Sequence, residues 1–537
     1  MSAITPQTEL RLIKCPIESD NRNQLTFSNA TNQYNYFNSL PHITADNFTY
    51  QRKDNLIRYP AHIDTILTYN YVMYQNEAYT NKWFYAFITD MEYVNDNMTL
   101  ITIKTDVYQT WAFDIVWKKS FVEREHVNSD NYGEHTIPEN LETGEYINMY
   151  GFDSLAMGNC HIVMGTTISP INGTSPVTGG KYGGVYSGVK YFLFDSDNSV
   201  NNALQRIAGE GNSNSVVSLF IAPDWLTGYD SATFDSNGIA EIEITNYQTI
   251  GGGIAIPLRP AQCGGYTFKN KKLATYPYMA YIVSNNSGES VEYHLENFKD
   301  NTDHSGELEL WGCVTPGCSI RLVPKDYKSI NDLSPEYNNE YGINAGKYPI
   351  CSWGNDTYTN WLTQNGVNFF GTKINANDWG TIGATASATL GIAKMYMGDT
   401  NGVNDVVGGF TGIFNVMQQD YQHRFNSMVA EGNINSGDVT YASGKLTFTG
   451  YMMSIKGEMA KAIDDYFTMY GYKVNSLKIP NITGRTNWNY VKTIGANIEG
   501  NIPENDINEL KSLFNNGITL WHKTNYYLDY SQSNNIV

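Results

Sequence analysis

Positive charge is scarce in this sequence. The 537 residues include 35 Lys and Arg against 54 Asp and Glu, which gives a formal net charge of −19. A protein that grips nucleic acid does so by neutralising phosphates with Lys and Arg side chains. The composition therefore argues against tight, phosphate-dependent binding of DNA, and DNA that meets this surface should slide along it.

Cysteine is also rare. Disulfide scaffolds are short and cysteine-dense, whereas the cysteines of this long chain are scattered, so we predict reduced thiols. The first residues, MSAITPQTELRLIKCP, lack a positively charged start followed by an apolar run. We therefore expect no secretory signal and synthesis in a cytoplasm. The six cysteines are Cys15, Cys160, Cys263, Cys313, Cys318 and Cys351.

Motifs that carry catalysis or bind metal are missing. Neither a GxSxG nucleophile elbow nor an HExxH zinc motif occurs. Cys313 and Cys318 are spaced too widely for the commonest zinc knuckle, and no second ligand pair accompanies them. We predict that the chain is not an enzyme and has no catalytic residue, no cofactor and no metal. Scattered acids show no spacing typical of a glycosidase pair, namely Asp224, Asp230, Glu241 and Glu243.

One short segment, FVEREHV, brings three ionisable side chains close together in sequence. Glu123 and Glu125 would share one face of a strand while His126 points to the other, so the three do not converge on a ligand. We interpret this segment as a solvated strand edge.

Aromatic and hydrophobic residues are plentiful. Hydrophobic residues make up 41 % of the chain and aromatic residues 13 %, with 40 Tyr and 10 Trp, which argues against disorder. Polar surface is supplied by Asn, Thr, Ser and Tyr, a composition that favours strands and turns. The length suggests roughly two to four packed units. We predict a β-rich α+β protein.

The sequence changes in texture along its length. From about Leu10 to Phe121, apolar and polar residues alternate with period two, which predicts an antiparallel meander with one buried face. The region 151–352 is rich in Gly, Asn and Ser and reads as a loop-rich β domain. From about Lys445 an α+β pattern follows, with helices in 456–471 and 503–517. Two same-face sets are predicted core residues: Trp83, Tyr85, Phe87 and Ile101, Ile103, Val107.

The stretch WGTIGATASATLGIAKMYMG (379–398) has one charged residue, Lys394, in about the length of a membrane-spanning helix. Small residues recur every four positions, which permits close helix approach in lipid. The run VNDVVGGFTGIFNVM (403–417) could pair with it as a hairpin. A buried core hairpin or a Gly-rich loop is the alternative. The predicted membrane-contacting residues are Trp379, Ile382, Leu390, Ile392, Met395, Tyr396, Met397, Val406, Val407, Phe410, Ile413, Phe414, Val416 and Met417.

Two separated blocks of this sequence resemble the distal tail tube, or tail knob, proteins of the Salasmaviridae-type short-tailed bacteriophages. The blocks agree with that family in order and approximate spacing. They are TNQYNYFNS (31–39), YVMYQNEAYTNKWFYAFITDMEYVN (71–95), TDVYQTWAFDI (105–115) and SFVEREHV (120–127), then YGYKVNSLKIPNITGRTNWNYVKT (470–493) and LFNNGITLWH (513–522).

The resemblance implies a homohexameric tube through which the genome leaves the particle. It implies a tube wall from 1–150 and 446–537, a knob from 151–352, and an apolar loop in 353–445 that plugs the tube and later enters the host membrane. Implied partners are the upper tail tube or collar protein, membrane lipids, and phage DNA that passes without specific binding. The location would be the distal end of the tail. The alternative function is a carbohydrate-binding tail adhesin or a cell-wall glycan hydrolase.

Overall fold

The computed structural model describes residues 8–537 apart from several internal segments. The residues outside the description are 1–7, 47–49, 52–54, 77–81, 155–159, 172–180, 183–184, 187–188, 211–214, 243–247, 250–253, 315–318, 329–338, 346–349 and 353–447. The chain forms two compact units. Unit 1 consists of Met1–Gly144, Tyr266–Leu273 and Gly457–Val537, and unit 2 consists of Glu145–Gly265 and Ala274–Lys456.

Strands dominate the described residues and are numbered in chain order. The first are β1 (Thr8–Ile13), β2 (Asn23–Leu25), β3 (His42–Asp46), β4 (Tyr50–Gln51), β5 (Leu56–Tyr59), β6 (Tyr71–Asn76), β7 (Trp83–Asn95), β8 (Met98–Thr105), β9 (Val116–Trp117) and β10 (Ser120–Glu125). The middle of the chain adds β11 (Tyr146–Ser154), β12 (Cys160–Thr166), β13 (Lys181–Tyr182), β14 (Val185–Tyr186), β15 (Lys190–Phe194), β16 (Val216–Pro223), β17 (Ile239–Ile242), β18 (Gln248–Thr249), β19 (Ile254–Pro257), β20 (Gln262–Cys263), β21 (Tyr266–Thr267), β22 (Met279–Ser284), β23 (Ser290–Tyr293), β24 (Ser305–Cys313), β25 (Ser319–Lys325), β26 (Ile343–Asn344) and β27 (Ile350–Ser352). The last are β28 (Phe448–Ile455), β29 (Tyr472–Lys478), β30 (Trp488–Ile494), β31 (Ile498–Glu499) and β32 (Ile518–Trp521). The β-rich class predicted from composition is confirmed.

Helices are fewer than strands in the described part. The α-helices are α1 (Ala30–Ser39), α2 (Ile63–Ile66), α3 (Val107–Trp111), α4 (Asp197–Gly209), α5 (Asp224–Thr227), α6 (Gly457–Tyr470) and α7 (Glu504–Asn516). Single turns of 3₁₀ helix occur at Tyr229–Ser231, Lys271–Ala274, Leu295–Asn297, Asn339–Tyr341 and Thr524–Tyr526.

Unit 1 joins both ends of the chain through its sheets. One sheet has the strand order β3-β1-β6-β7-β8-β5-β4, and a second has the order β2-β32-β30-β10-β29. In the second sheet, β10 lies between β29 and β30 and is antiparallel to both. The short strand β2 pairs parallel with β32 and places Leu25 opposite Trp521. Strands more than 340 positions apart in sequence therefore share one hydrogen-bonded ladder, as the pairing of Glu125 with Tyr472 illustrates.

The central strands of the first sheet are buried on both faces. Val72 and Ala86 belong to one hydrophobic cluster, which α7 closes with Phe514. Tyr71 and Tyr85, which point the other way, belong to a second cluster that includes Phe37 of α1 and the buried Trp488 and Trp521. The predicted meander with one buried face is therefore wrong for β6 and β7, because helices and the second sheet cover both sides.

Three helices of unit 1 lie where period-two patterning predicted strands. In α1 the Asn29 side chain accepts a hydrogen bond from the backbone N–H of Asn32 at 2.8 Å. In α3 the Asp106 carboxylate accepts one from the N–H of Gln109 at 3.1 Å. Such N-caps satisfy backbone donors that a helix start leaves open. The short helices α1, α2 and α3 were missed because aromatic and β-branched residues within them fit a strand pattern equally well.

The C-terminal helices occur where their sequence pattern places them. In α6 the buried residues Ala460, Ile463 and Phe467 recur at helical spacing and face the interior. Helix α7 follows Pro503 and ends before Gly517, whose φ of +92° is unfavourable for other residues. Both predicted helices are confirmed.

Unit 2 contains three larger sheets. Their orders are β11-β28-β22-β23, β17-β15-β12-β16-β27 and β18-β24-β25-β26, with β19 also paired to β24. The amphipathic helix α4 was not predicted in this loop-rich region. In the chain, β27 ends at Ser352 and β28 begins at Phe448. The predicted apolar loop, 353–445, falls between these strands and lies outside the described residues.

Candidate functional site

The strands that open and close unit 2 pair with each other. Tyr146, at the start of β11, is opposite Ile455, at the end of β28, and an ion pair between Glu145 and Lys456 lies beside them. Phe448, the first residue of β28, is fully buried. The far end of the predicted loop is therefore anchored in a hydrogen-bonded ladder.

All fourteen predicted membrane-contacting residues, from Trp379 to Met417, lie outside the described residues. Their role stays a prediction. Within the described part of the chain, every helix is too short or too polar to cross a bilayer.

A short excursion from the middle of the sequence, residues 266–273, belongs to unit 1. The fully buried carboxylate of Asp464, on α6, accepts hydrogen bonds from the backbone N–H of Lys269 at 2.9 Å and of Asn270 at 3.0 Å. It also accepts the hydroxyl of Tyr266 at 3.0 Å and the Asn270 side-chain amide at 2.8 Å. One side chain thus fixes the path of this excursion on α6.

A buried ionic cluster holds the same excursion from the other side. Glu139 forms ion pairs with Arg124 of β10 and with Lys272, and it accepts the backbone N–H of Lys473 at 2.9 Å. The side chains of Glu139 and Lys272 are 0 % and 2 % exposed. Burial lowers the pKa of Lys272, against the opposing effect of Glu139. This Glu139 cluster links residues that are far apart in sequence, and no local motif announces it.

The interpretation of FVEREHV as a solvated edge is wrong. Strand β10 is an inner strand of its sheet, and a bulge between Val122 and Arg124 shifts the alternation of its side chains. Glu125 is fully buried, pairs with Lys478 and accepts the N–H of Asn481 at 2.7 Å. Glu123 alone keeps an outer position, paired with a lysine of β30.

His126 is buried in its neutral form. Its Nδ1 accepts the backbone N–H of Tyr490 at 2.8 Å, and its Nε2 lies 3.0 Å from the carbonyl of Thr468. Burial, reinforced by the nearby Arg485 guanidinium, lowers the pKa of His126 to about 3. The imidazole therefore contributes hydrogen bonds and no charge at neutral pH.

We expect unit 1 to lose stability as the pH falls from 6.5 towards 3. The unfolded chain binds a proton at His126 in this window that the folded chain does not, so the stabilisation present above pH 6.5 is lost on acidification. The loss between pH 7.5 and pH 5 should be about 2 kcal/mol, from about 1.36 kcal/mol per pH unit. Urea denaturation at several pH values, followed by tryptophan fluorescence, measures it.

The control for this pH dependence is a His126→Gln variant, judged by slope and not by absolute stability. It should show a shallower dependence between pH 6.5 and 5, whereas replacing the exposed His304 should leave the slope unchanged. An unchanged slope in His126→Gln would contradict the assignment.

An exposed hydrophobic row crosses the second sheet of unit 1. Phe121 of β10 is directly opposite Leu477 of β29 and Ile494 of β30. Residues opposite each other in neighbouring strands point to the same face. These three side chains are 39 %, 67 % and 58 % exposed. We call this set the β10 row, and it is an apolar surface without a covering element among the described residues of unit 1.

The acids considered for glycan hydrolysis have individual partners or lie outside the described residues. Asp224 is 2.9 Å from Nε2 of His161, whose ring stacks on Tyr229 at 3.5 Å. Glu241 pairs with Lys190. Asp230 lies in a 3₁₀ turn, and Glu243 is outside the described residues. Among the described residues, no three His, Cys, Asp or Glu side chains are grouped to hold a metal ion.

Comparison with known proteins assigns the chain to a family. The family model of the C-terminal domain of tail knob protein gp9 of Bacillus phage phi29 matches residues 243–535. The chain belongs to this tail knob family. The family model of the Caudoviral major tail protein N-terminus matches residues 6–118.

Full-length relatives agree with this membership. The chain is 26 % identical to tail knob protein gp9 of Bacillus phage PZA, over 96 % of each chain. It is also 26 % identical to the protein of the same name in Bacillus phage phi29, over 96 % of this chain and 97 % of that one. The resemblance inferred from the N- and C-terminal blocks is therefore confirmed.

A solved structure shows the same fold. The tail knob protein gp12 of bacteriophage C1 aligns with a TM-score of 0.65 and 14 % identity, covering 99 % of this chain and 100 % of that one. The tail knob protein is a structural component of a phage virion, and its predicted location at the distal end of the tail is confirmed.

Proposed function

We propose that this tail knob protein assembles as a homohexamer into the distal tail tube, a conduit for genome ejection. Unit 1 would build the tube wall and unit 2 the knob, with the predicted boundaries 1–150, 151–352, 353–445 and 446–537. The observation that carries the proposal is the match of residues 6–118 to a major tail protein N-terminus, in a chain that belongs to a tail knob family. The neighbouring part in the virion is the upper tail tube or collar protein.

The charge of the chain supports a low-friction conduit. Six copies would carry 6 × −19 = −114 formal charges. An acidic lumen repels DNA phosphates instead of holding them. The genome should therefore pass without specific binding, and submicromolar affinity for duplex DNA at physiological salt would oppose this role.

The apolar stretch between β27 and β28 would act as plug and membrane probe. An apolar segment of this length is an aggregation hazard if it stays in water, so six copies would shelter one another inside the tube before ejection. Its Gly and Thr content keeps hydrophobicity low enough for a sheltered soluble state. Its length and small-residue spacing suit helix association once host membrane lipid is reached.

We expect the purified protein to form rings of six copies. Six times 60.3 kDa is about 362 kDa, which mass photometry or light scattering measures, and negative-stain images should show a central channel. A stable monomer that binds or cleaves wall glycan and forms no rings would instead favour a carbohydrate-binding adhesin or a hydrolase.

The β10 row supplies a sharper control on assembly. We place it at the contact between copies, because an exposed apolar row on a sheet gains most from being covered. Leu477→Glu should shift the mass distribution towards smaller species, whereas Leu67→Glu, at a residue 63 % exposed, should not. Equal assembly of the two variants would remove the β10 row from the contact but leave the tube proposal standing.

A further inference from the structure

Unit 1 contains a cavity of about 470 Å³ that neither the wall nor the knob role uses. Residues 269–271 of the excursion form one part of its wall, and the C-terminal residues 531–536 form another. His126, Asp130, Thr468 and Arg485 complete the lining. Cavities of roughly 300–1,000 Å³ are the usual size of small-molecule sites.

Three cations line this cavity without a carboxylate partner. Among the described residues, no carboxylate oxygen lies within 4.0 Å of the side-chain nitrogens of Lys269, Lys271 or Arg485. The Nη1 of Arg485 donates to the carbonyl of Asn534 at 3.3 Å, and its Nε is buried without a hydrogen-bond partner. A guanidinium held this way retains donor capacity for an anion.

The one acid of the lining is already engaged. Asp130 accepts the backbone N–H of Lys271 at 3.2 Å and the hydroxyl of Tyr472 at 2.9 Å. His126 is neutral, as described above. Three cations and one carboxylate leave 3 − 1 = +2 formal charges on the lining, in a chain whose net charge is −19. A concentration of positive charge in so acidic a chain calls for an anionic partner.

We infer that this cavity binds a phosphate group carried on a small polar molecule. Arg presents a planar fork that matches phosphate oxygens, and Lys adds a point charge. The cavity is larger than a phosphate ion, and the hydroxyl and amide side chains of residues 531–535 offer partners for hydroxyl groups on the rest of the ligand. A soluble polyol phosphate and a phosphoglycerol lipid headgroup share this chemistry.

The exposed Lys269 allows a test that leaves the fold intact. Its backbone N–H bonds to Asp464, so a side-chain change keeps that contact. Lys119, exposed and outside the cavity, is the matched control for loss of one positive charge. Arg485→Gln removes the guanidinium, and its urea denaturation midpoint reports whether the variant remains folded.

The experiment is calorimetric titration of the full-length protein with glycerol 1-phosphate, with inorganic phosphate and glycerol as comparison ligands. We expect saturable binding of glycerol 1-phosphate and no binding of glycerol. Lys269→Gln and Arg485→Gln should each weaken binding by about tenfold, from the loss of a charged hydrogen bond. Lys119→Gln should match the wild type.

Vesicles distinguish the two sources of the phosphate group. Binding to phosphatidylglycerol vesicles that free glycerol 1-phosphate competes away identifies a lipid headgroup, and absence of competition identifies a soluble ligand. The inference is overturned if the wild type shows no saturable binding of glycerol 1-phosphate up to millimolar concentration. It is also overturned if Lys119→Gln weakens binding as much as Lys269→Gln does.

Discussion

Liposomes loaded with a self-quenched dye should release it when the assembled protein is added, and should retain it when residues Trp379–Met417 are replaced by a short polar linker. The stretch has the length and small-residue spacing for membrane entry, and 379–398 contains a single charged residue. We expect the loss of release to be nearly complete, because every predicted membrane-contacting residue lies in the replaced segment. Fluorescence dequenching measures the release, and light scattering verifies that the variant still assembles.

Point changes within the same segment refine this test. Ile413→Asp and Phe414→Asp should each weaken release, because a carboxylate near the bilayer centre costs about 3 kcal/mol. Thr400→Asp is the matched control, since it adds the same charge in the turn-rich cluster between the two apolar runs. Equal release by the wild type and the linker variant, with assembly intact, would remove the segment from the mechanism of entry.

Removal of the Glu139 carboxylate should destabilise unit 1 by about 3–5 kcal/mol, the usual result of breaking a buried ion pair. Glu139→Gln leaves Arg124 and Lys272 without their counter-charge, and their side chains are only 10 % and 2 % exposed. The carboxylate is also the acceptor for the backbone of Lys473. Urea denaturation followed by tryptophan fluorescence measures the loss of stability.

The control for this prediction is Glu499→Gln. Glu499 forms an ion pair with Lys118 in which both side chains are about half exposed, at 63 % and 47 %, and such surface pairs contribute about 0–1 kcal/mol. A second variant, Glu139→Gln with Lys272→Met, should recover part of the stability, because one buried unpaired charge is removed. Equal small effects of Glu139→Gln and Glu499→Gln would show that the cluster is not a principal support of unit 1.

The ionic cluster and the Asp464 carboxylate together explain how the wall unit includes residues from the middle of the sequence. Asp464 fixes the backbone of Lys269 and Asn270, and Glu139 pairs with Lys272 a few positions later. Acceptors inside the fold thus bind the excursion at both ends. Because buried polar groups cost free energy unless they are paired, these contacts specify one path for the chain.

Local pattern was sufficient wherever a segment's own periodicity agreed with its final environment. The apolar residues of α6 recur at helical spacing, and Pro503 and Gly517 bound α7, so both helices could be predicted. The alternation in β7 and β8 likewise identified Tyr85, Phe87, Ile101 and Ile103 as buried. The order of the two terminal blocks was enough to indicate the family.

Local pattern failed where a distant element changed the environment. The charged residues of β10 resemble an exposed edge, yet β29 and β30 pair with both sides of the strand and bury Glu125. Helix α1 resembles a strand because its aromatic residues pack on the sheet, and its Asn29 cap is a weak signal. Neither outcome can be calculated from a short window, since the deciding partner lies elsewhere in the chain.

By itself, then, the sequence determined the β-rich class, the acidic character, the tail knob family and the position of one long apolar stretch, because each of these depends on composition or on contiguous residues. Only the tertiary structure decided that β10 is an inner strand and that β6 and β7 are covered on both faces. It alone brought Glu139 to Lys272, Asp464 to Asn270, and three cations to one cavity. Each of these joins residues separated by more than a hundred positions, and their meeting is set by sheet register and packing, which a single sequence does not encode locally.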